Sequence, residues 1–412
     1  MSLFARPIRM LVAGLGEFDE FTSVEVTRDL QDFAGSFSVT LRDAVRSINT
    51  FKFASAANAA LFALRPGPSV SFVVGGETVL VGWIEKVDPK IDSEFAEVTI
   101  SGRDKSGDLV DSAAASDGPG ELKRVKLEDA AAKIAQPFGL RVRSEVDTGE
   151  PFERYPLDLT ETGLSAIEKG ARQRNVLVTS DGVGGIVITR TGSQNAPAAL
   201  TLPGNVLEAS ASFSTEGRFS ETIVRGQGEK AGGERRERPA PQLWDSHATD
   251  LSDRQPTDGS ATQRERRGTA ITGRARDPEI TRHRPKVHLT KTQPDATANA
   301  AQNEADWRSR TSRANGEEAT YTVHGFGENG VLWKVNQLPD VSDSYLGIER
   351  PMLISRTVYR YDAEGATTEL TVTSPEAFDD QPVARRRSNL PRAKSVGGRR
   401  TGGALDSTAR AL

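Results

Sequence analysis

The chain has 412 residues, room for two to four domains of about 100–200 residues each, yet only 36% of it is hydrophobic and 6% aromatic, which limits it to small, thin cores. It contains no cysteine, which excludes a disulfide framework, a cysteine-ligated metal and a cysteine nucleophile. The net charge of −4 divides unevenly: from Ala384 onward seven Arg and Lys394 stand against Asp406 alone, a net +7, which leaves −11 on residues 1–383.

The first residues, "MSLFARPIRMLVAGLGEF", carry Arg6 and Arg9, but Gly14 and Gly16 interrupt the apolar run and no cleavage site follows, so no signal peptide is expected. No run of about 18 apolar residues occurs, so no membrane insertion is expected either. Residues 1–112 read as strands. "SVEVTRDL" and "GSFSVTLRD" alternate apolar and polar side chains, "SVSFVVGGETVLVGWIEKVDP" holds two strands around Gly75-Gly76, and "SEFAEVTISGRD" closes the series. Short antiparallel strands of this kind suggest a small barrel or a sandwich.

From about residue 120 the period changes. "KLEDAAAKIAQPFGL" places Leu127, Ala131, Ile134 and Phe138 on one helical stripe, with Gly139 as its C-terminal cap. "TETGLSAIEKGARQRNV" repeats the pattern with Leu164, Ile167 and Ala171, and "VLVTSDGVGGIVITR" reads as a strand, a turn and a return strand. Helices against a small sheet make an α+β module. Strand character returns at 205–226, and residues 228–285 are polar and almost aperiodic, as in a disordered or long functional loop. A helix is expected from about Asp295 to Asn315, with Ala300, Asn303, Trp307, Thr311 and Ala314 on its stripe. Strands resume at Tyr321 and end near "TTELTVTSPEAF".

An internal repeat is visible. "GSFSVTL" and "VLVGWIEKVDPKIDSEFAEVTISG" find counterparts in "GRFSETIVRG" and "PMLISRTVYRYDAEGATTELTVTS", which suggests two similar β domains with an insertion inside the second. In "GFGENGVLWKVNQLPDV", the crowded glycines and Trp333 fit either a glycine-rich ligand loop or a corner in a barrel that touches other proteins.

Assembled chemistry is scarce. His247, His283, His288 and His324 have no metal-ligand spacing, and "AGLGEF" lacks the third glycine and the following helix of a dinucleotide loop. Asp104, Lys105, Asp108 and Asp111 offer an acid–base set, but a polar turn leaving a strand is the plainer reading. No cofactor is expected. The basic tail, with Arg385, Arg386, Arg387, Arg399 and Arg400, suits phosphate contacts, yet it has no interleaved aromatics, and docking on acidic protein or plain solvation ranks above nucleic acid.

Taken in order, "VTRDLQDFAGSFSVTL", "LRPGPSVSFVVGGETVLVGWIEKVDP", "TISGRDKSGDLVDSAA", "FERYPLDLTETGLSAIEKGARQRNVLVTSDGVGGIVITR" and "NEADWRSRTSRANGEEATYTVHGFGENGVLWKVNQLPDV" resemble the Mu-type baseplate hub proteins of contractile phage tails. The resemblance covers about residues 8–378; the polar stretch at 228–270 and the tail depart from it. It implies a β-rich α+β chain in which two small tail-tube-like β-barrel domains flank an α+β domain, assembling as a trimeric ring similar to the hub of VgrG-like spikes. The corresponding division is a first barrel at 1–115, an α+β domain at 116–203, a second barrel at 204–227 and 319–378, an insertion of polar loop and helix at 228–318, and a basic flexible tail at 379–412. The implied role is structural and non-enzymatic. Such a homotrimer adapts a hexameric tail tube, or a distal tail protein, to a trimeric central spike beside other baseplate proteins. DNA would pass without specific binding, and the place of action would be the virion tail baseplate, assembled in the host cytoplasm. Trp333, Asn336, Trp307, Trp83 and Asp104 are the candidate interface or corner residues. The competing readings are a baseplate-associated cell-wall hydrolase and a DNA-contacting tail protein acting through the basic C-terminus.

Overall fold

The computed structural model describes residues 8–44, 53, 56–92, 95–114, 120–227, 270–289 and 298–378. Its first region is built from strands β1 (Ile8–Val12), β2 (Gly16–Phe18), β3 (Ser23–Asp29), β4 (Ser36–Ala44), β5 (Ser69–Val74), β6 (Glu77–Ile91) and β7 (Phe95–Asp104), with helix α1 (Ala56–Ala63) between β4 and β5. Period-two alternation sends Val24 and Val26 of β3, and Ala96, Val98 and Ile100 of β7, into one core with Phe37 and Phe72. The β5–β6 hairpin turns on Gly75 and Gly76, both at positive φ (58° and 91°), a two-residue turn that only residues tolerant of left-handed backbone accept.

The middle module follows a short helix α2 (Gly107–Asp111). Helices α3 (Leu127–Ala135) and α4 (Gly163–Arg174) bury Leu127, Ala131, Ile134, Ile167 and Ala171 against the strands Arg141–Ser144, Leu177–Ser180 and Gly185–Thr189. Thr162 caps α4 by accepting a hydrogen bond from the Ser165 amide (3.3 Å). Gly139, at φ 68°, ends the 3₁₀ turn Gln136–Phe138 that follows α3.

The β strands of the first and last regions form one eleven-stranded sheet. Its order is Val206–Phe213, Glu317–His324, Gly365–Thr373, Leu353–Asp362, β3, β4, β7, β6, β5, β1 and β2. The fold is thus β-rich with few helices, and in place of two separate barrels the strands run as an open series, with no closing pair among the described residues. The two halves meet where β3 pairs antiparallel with Leu353–Asp362, from Asp29 opposite Arg356 to Val24 opposite Tyr361.

The halves repeat each other at residue level. In the β6–β7 hairpin the register slips between Ile84 and Lys86; in the hairpin of Leu353–Asp362 with Gly365–Thr373 it slips between Ile354 and Arg356. Each slip is a β-bulge, which adds twist at a fixed place. Alignment on the two bulges matches Lys86 with Arg356, β7 with Gly365–Thr373, β4 with Glu317–His324 and β3 with Val206–Phe213. The counterpart of β4 is therefore Glu317–His324 and not "GRFSETIVRG".

That segment goes elsewhere. Glu221–Gln227 pairs with Ala270–Arg276 and Pro285–Leu289 in a separate three-stranded sheet, two strands that the polar sequence did not announce. The helix Ala298–Ala314 backs this sheet and buries Ala301 and Ala305 against Val224 and Ala275. Glu304 shares that face, whereas Asn303 is exposed and Trp307 only half-buried, so the buried stripe is rotated from the expected one.

Candidate domain junction and assembly surface

Asp104 ends β7 and is buried beneath the middle module. Its Oδ2 accepts from the Gly35 amide (2.9 Å) and the Ser180 hydroxyl (3.0 Å), and its Oδ1 accepts from the Ser106 amide (2.8 Å) and hydroxyl. Arg28 of β3 reaches the same place, donating Nη2 to the Ser180 carbonyl and holding Nη1 3.7 Å from Asp104 Oδ2. Burial pulls the Arg28 guanidinium below its ordinary pKa, and the negative charges of Asp104 and Asp181 offset part of that. The cluster staples the first β region to the middle module through largely buried groups.

Asn336 makes the second junction. It sits at φ 67°, a left-handed conformation that asparagine tolerates better than most residues. Its Oδ1 accepts from the Gly192 amide (2.8 Å) and its Nδ2 donates to the Arg190 carbonyl (2.9 Å) and Ser193 Oγ (3.1 Å), binding the end of the middle module to the last β region. The preceding glycine-rich stretch is a small hairpin, Gly327–Glu328 with Val331–Leu332, turned by Asn329 and Gly330 at positive φ. Trp333 is 1% exposed and lies inside the core of the last region, and its carbonyl accepts the Tyr359 hydroxyl. Between the three regions lies a cleft of about 250 Å³ whose wall includes Arg28, Arg143, Asp181, Lys334, Asn336 and Tyr359.

The other candidates are dispersed. Trp83 is 37% exposed and donates Nε1 to Asp108 Oδ2 (3.1 Å), so Asp108 serves a surface contact. Asp111 pairs with Arg103, whose hydrogen bond holds its carboxyl below the usual range. Trp307 lies in the insertion with Arg308 over its ring at 5.6 Å. Arg385, Arg386, Arg387, Arg399 and Arg400 lie outside the described residues, as does nearly all of the 228–270 stretch. Among the described residues no cluster of three or more His, Asp or Glu could hold a metal ion, and no helix is long and apolar enough to cross a membrane.

Sequence reasoning overlooked Arg28 and Ser180, because a lone arginine in an alternating strand reads as an outward charge. Its inward parity with Val24 and Val26 was the available signal. It also overlooked Arg218, buried with Asp277 through hydrogen bonds of 2.8–3.0 Å, which ties the insertion sheet together.

The large sheet presents a second surface. Opposite its cores stand Ser38, Thr40, Thr99, Ser101, Thr320 and Thr322, with charges mostly in pairs such as Arg360–Glu25 (2.8 Å) and Arg103–Glu85 (2.9 Å). Such a face is hydroxyl-rich and close to charge balance.

Three family models match consecutive parts of the chain: the N-terminal domain of Mu phage baseplate assembly protein GpP-like (residues 7–104), the second domain of baseplate hub protein gp44-like (106–190) and the fourth domain of Mu phage baseplate assembly protein GpP (297–381). The baseplate hub protein gp44 of Escherichia phage Mu is 29% identical over 387 residues, 92% of this chain and 91% of that protein. Among solved structures, the 43 kDa tail protein of prophage MuSo2 from Shewanella oneidensis has a TM-score of 0.71 at 26% identity, covering 90% of this chain and 98% of its own. A tail protein from Neisseria meningitidis has a TM-score of 0.66 at 21% identity, with the same coverage, and shares the fold.

Proposed function

Because the chain is a homologue of the Mu phage baseplate hub, a structural protein of the virion tail, we propose that it is the ring that adapts a sixfold tail tube to a threefold spike. One observation carries this reading: each chain holds two strand sets of the same bulge and register, joined edge to edge by β3 and Leu353–Asp362. Three copies would then present six near-equivalent units to the tube and three whole chains to the spike, as a closing heterologous ring requires. The first β region (8–104) and the second strand set (206–213 and 317–373) would form the ring wall, with Glu221–Gln227 left to the insertion sheet, and the middle α+β module would hold them at a fixed angle through Asp104 and Asn336. The hydroxyl-rich sheet face would line the channel through which DNA passes without specific binding. The reading assigns the chain no catalytic step. Light scattering of the full-length chain tests it: a mass three times 44.4 kDa is expected, and a monomer at high concentration, with or without a spike partner, would overturn it.

A further inference from the structure

The eight strands from Val206–Phe213 to β6 form a continuous stretch of sheet with a free edge at each end among the described residues. At one end, Val206–Phe213 pairs only with Glu317–His324. At the other, β5 covers β6 only as far as Trp83, so Lys86–Ile91 pair with β7 alone. By the internal repeat these free segments are the counterparts of β3 and of Arg356–Tyr361, the two segments that pair inside the chain. The molecule thus contains one solved copy of a seam and the two unjoined halves of a second.

The geometry points to a seam between copies of this chain, in which Lys86–Ile91 of one protomer pairs antiparallel with residues 209–214 of the next. The inference rests on the ring proposed above and adds its register. Transferring the β3 pairing through the two alignments places Lys86 opposite Ser214, Val87 opposite Phe213, Asp88 opposite Ser212, Pro89 opposite Ala211, Lys90 opposite Ser210 and Ile91 opposite Ala209.

The side chains fit this register. In the internal seam the core-facing column is Val24–Tyr361, Val26–Tyr359 and Arg28–Thr357, with Val26, Tyr359 and Thr357 buried. The transferred column, Ala209–Ile91, Ala211–Pro89 and Phe213–Val87, is apolar throughout. Its two large outer members are exposed in the single chain, Phe213 at 60% and Ile91 at 58%. Covering them removes apolar surface from water in the same stripe that the internal seam buries. The opposite column sets Lys86, Asp88 and Lys90 against three serines, with Glu208 diagonal to Lys90, so no like charges meet. A shift by one residue would turn Phe213 and Ile91 to the polar face. Lys86, Lys90 and Pro89 also guard the free edge against indiscriminate pairing before assembly. Pro89 withholds one donor from the seam, a cost that the internal seam does not carry.

The absence of native cysteine gives a direct test in the full-length chain. Asp88 and Ser212 are exposed, and six strands separate them within one copy, so a disulfide between them must join two copies. Asp88→Cys with Ser212→Cys should oxidise to covalent dimers and trimers that reductant dissolves. Asp88→Cys with Glu208→Cys, on the same face but out of register, should cross-link at least tenfold less. Equal cross-linking by both pairs would overturn the register. A three-chain mass by light scattering without cross-linking of the first pair would overturn the seam and leave the ring standing. A monomeric mass for the parent chain would remove both.

Discussion

Asn336 shows how much one side chain contributes to this assembly of modules. Its backbone is left-handed, its side chain makes three hydrogen bonds to residues 190–193, and its own amide donates to the Ile354 carbonyl (2.9 Å). Asn336→Gly keeps the backbone and loses only the side-chain bonds; Asn336→Ala loses those and adds left-handed strain. Buried hydrogen bonds are each worth about 1 kcal/mol, and the strain about another 1–2 kcal/mol. Denaturant unfolding should therefore rank wild type above the glycine variant and the glycine variant above the alanine variant; an alanine variant equal to glycine would remove the strain argument. The turn at Asn336 was legible in the sequence, since asparagine beside glycines and proline marks such corners. Its side-chain partners were not, because 143 to 146 positions separate Asn336 from Ser193, Gly192 and Arg190 and no local pattern records those contacts. Under the family resemblance Trp333 could plug either a core or a subunit seam, and its 1% exposure puts it in the core of the single chain.

Individual elements were read best where one periodicity acts alone. Strands β3 to β7 and helices α3 and α4 follow their apolar stripes, whereas Ala270–Arg276 ("AITGRAR") and Pro285–Leu289 ("PKVHL") were hidden by charges that a thin, three-stranded sheet leaves in solvent. The strand Phe152–Pro156 shows how an element is docked. The Tyr155 hydroxyl donates to the Ala166 carbonyl of α4 at 2.5 Å, and Gly170 leaves it room, since a Cβ there would stand 2.5 Å from the phenol oxygen. Burial, and then the charge of Glu161, pushes the Tyr155 pKa up to about 12. The fold thus favours the neutral phenol. Its contribution is fully present below the unfolded value of about 10 and is lost as pH rises from there toward 12. Thermal melts should fall steeply above pH 10. Tyr321 and Tyr359 are also raised by burial, so the wild-type curve alone does not isolate this contact. Tyr155→Phe should lower stability by about 1 kcal/mol at neutral pH and flatten the alkaline decline; an unchanged slope would mean that Tyr155 does not titrate with unfolding.

For the whole molecule, the sequence placed an excess of negative charge on residues 1–383, and a simple electrostatic account would have that charge repel DNA from a channel. The sheet face suggests a different balance. Arg360 is engaged with Glu25 and Glu369 and Arg103 with Glu85, Arg42 lies over the Phe95 ring, and hydroxyls stand among them, so phosphate would meet few free cations and no strong anionic wall. Low adhesion would then come from the lack of counterion-releasing contacts, since binding to DNA strengthens with each phosphate neutralised. Arginines placed at matching positions of the two halves, Ser38→Arg and Thr320→Arg, would add two cations per chain to this face. The comparison belongs in chains ending at Val383, so that the basic tail does not mask the result. At about 0.15 M salt the shortened parent should leave double-stranded DNA unretarded, and the arginine variant should retard it, with binding falling steeply as salt rises. Retardation by the shortened parent itself would show that the body holds DNA, and the low-adhesion lining would have to be abandoned.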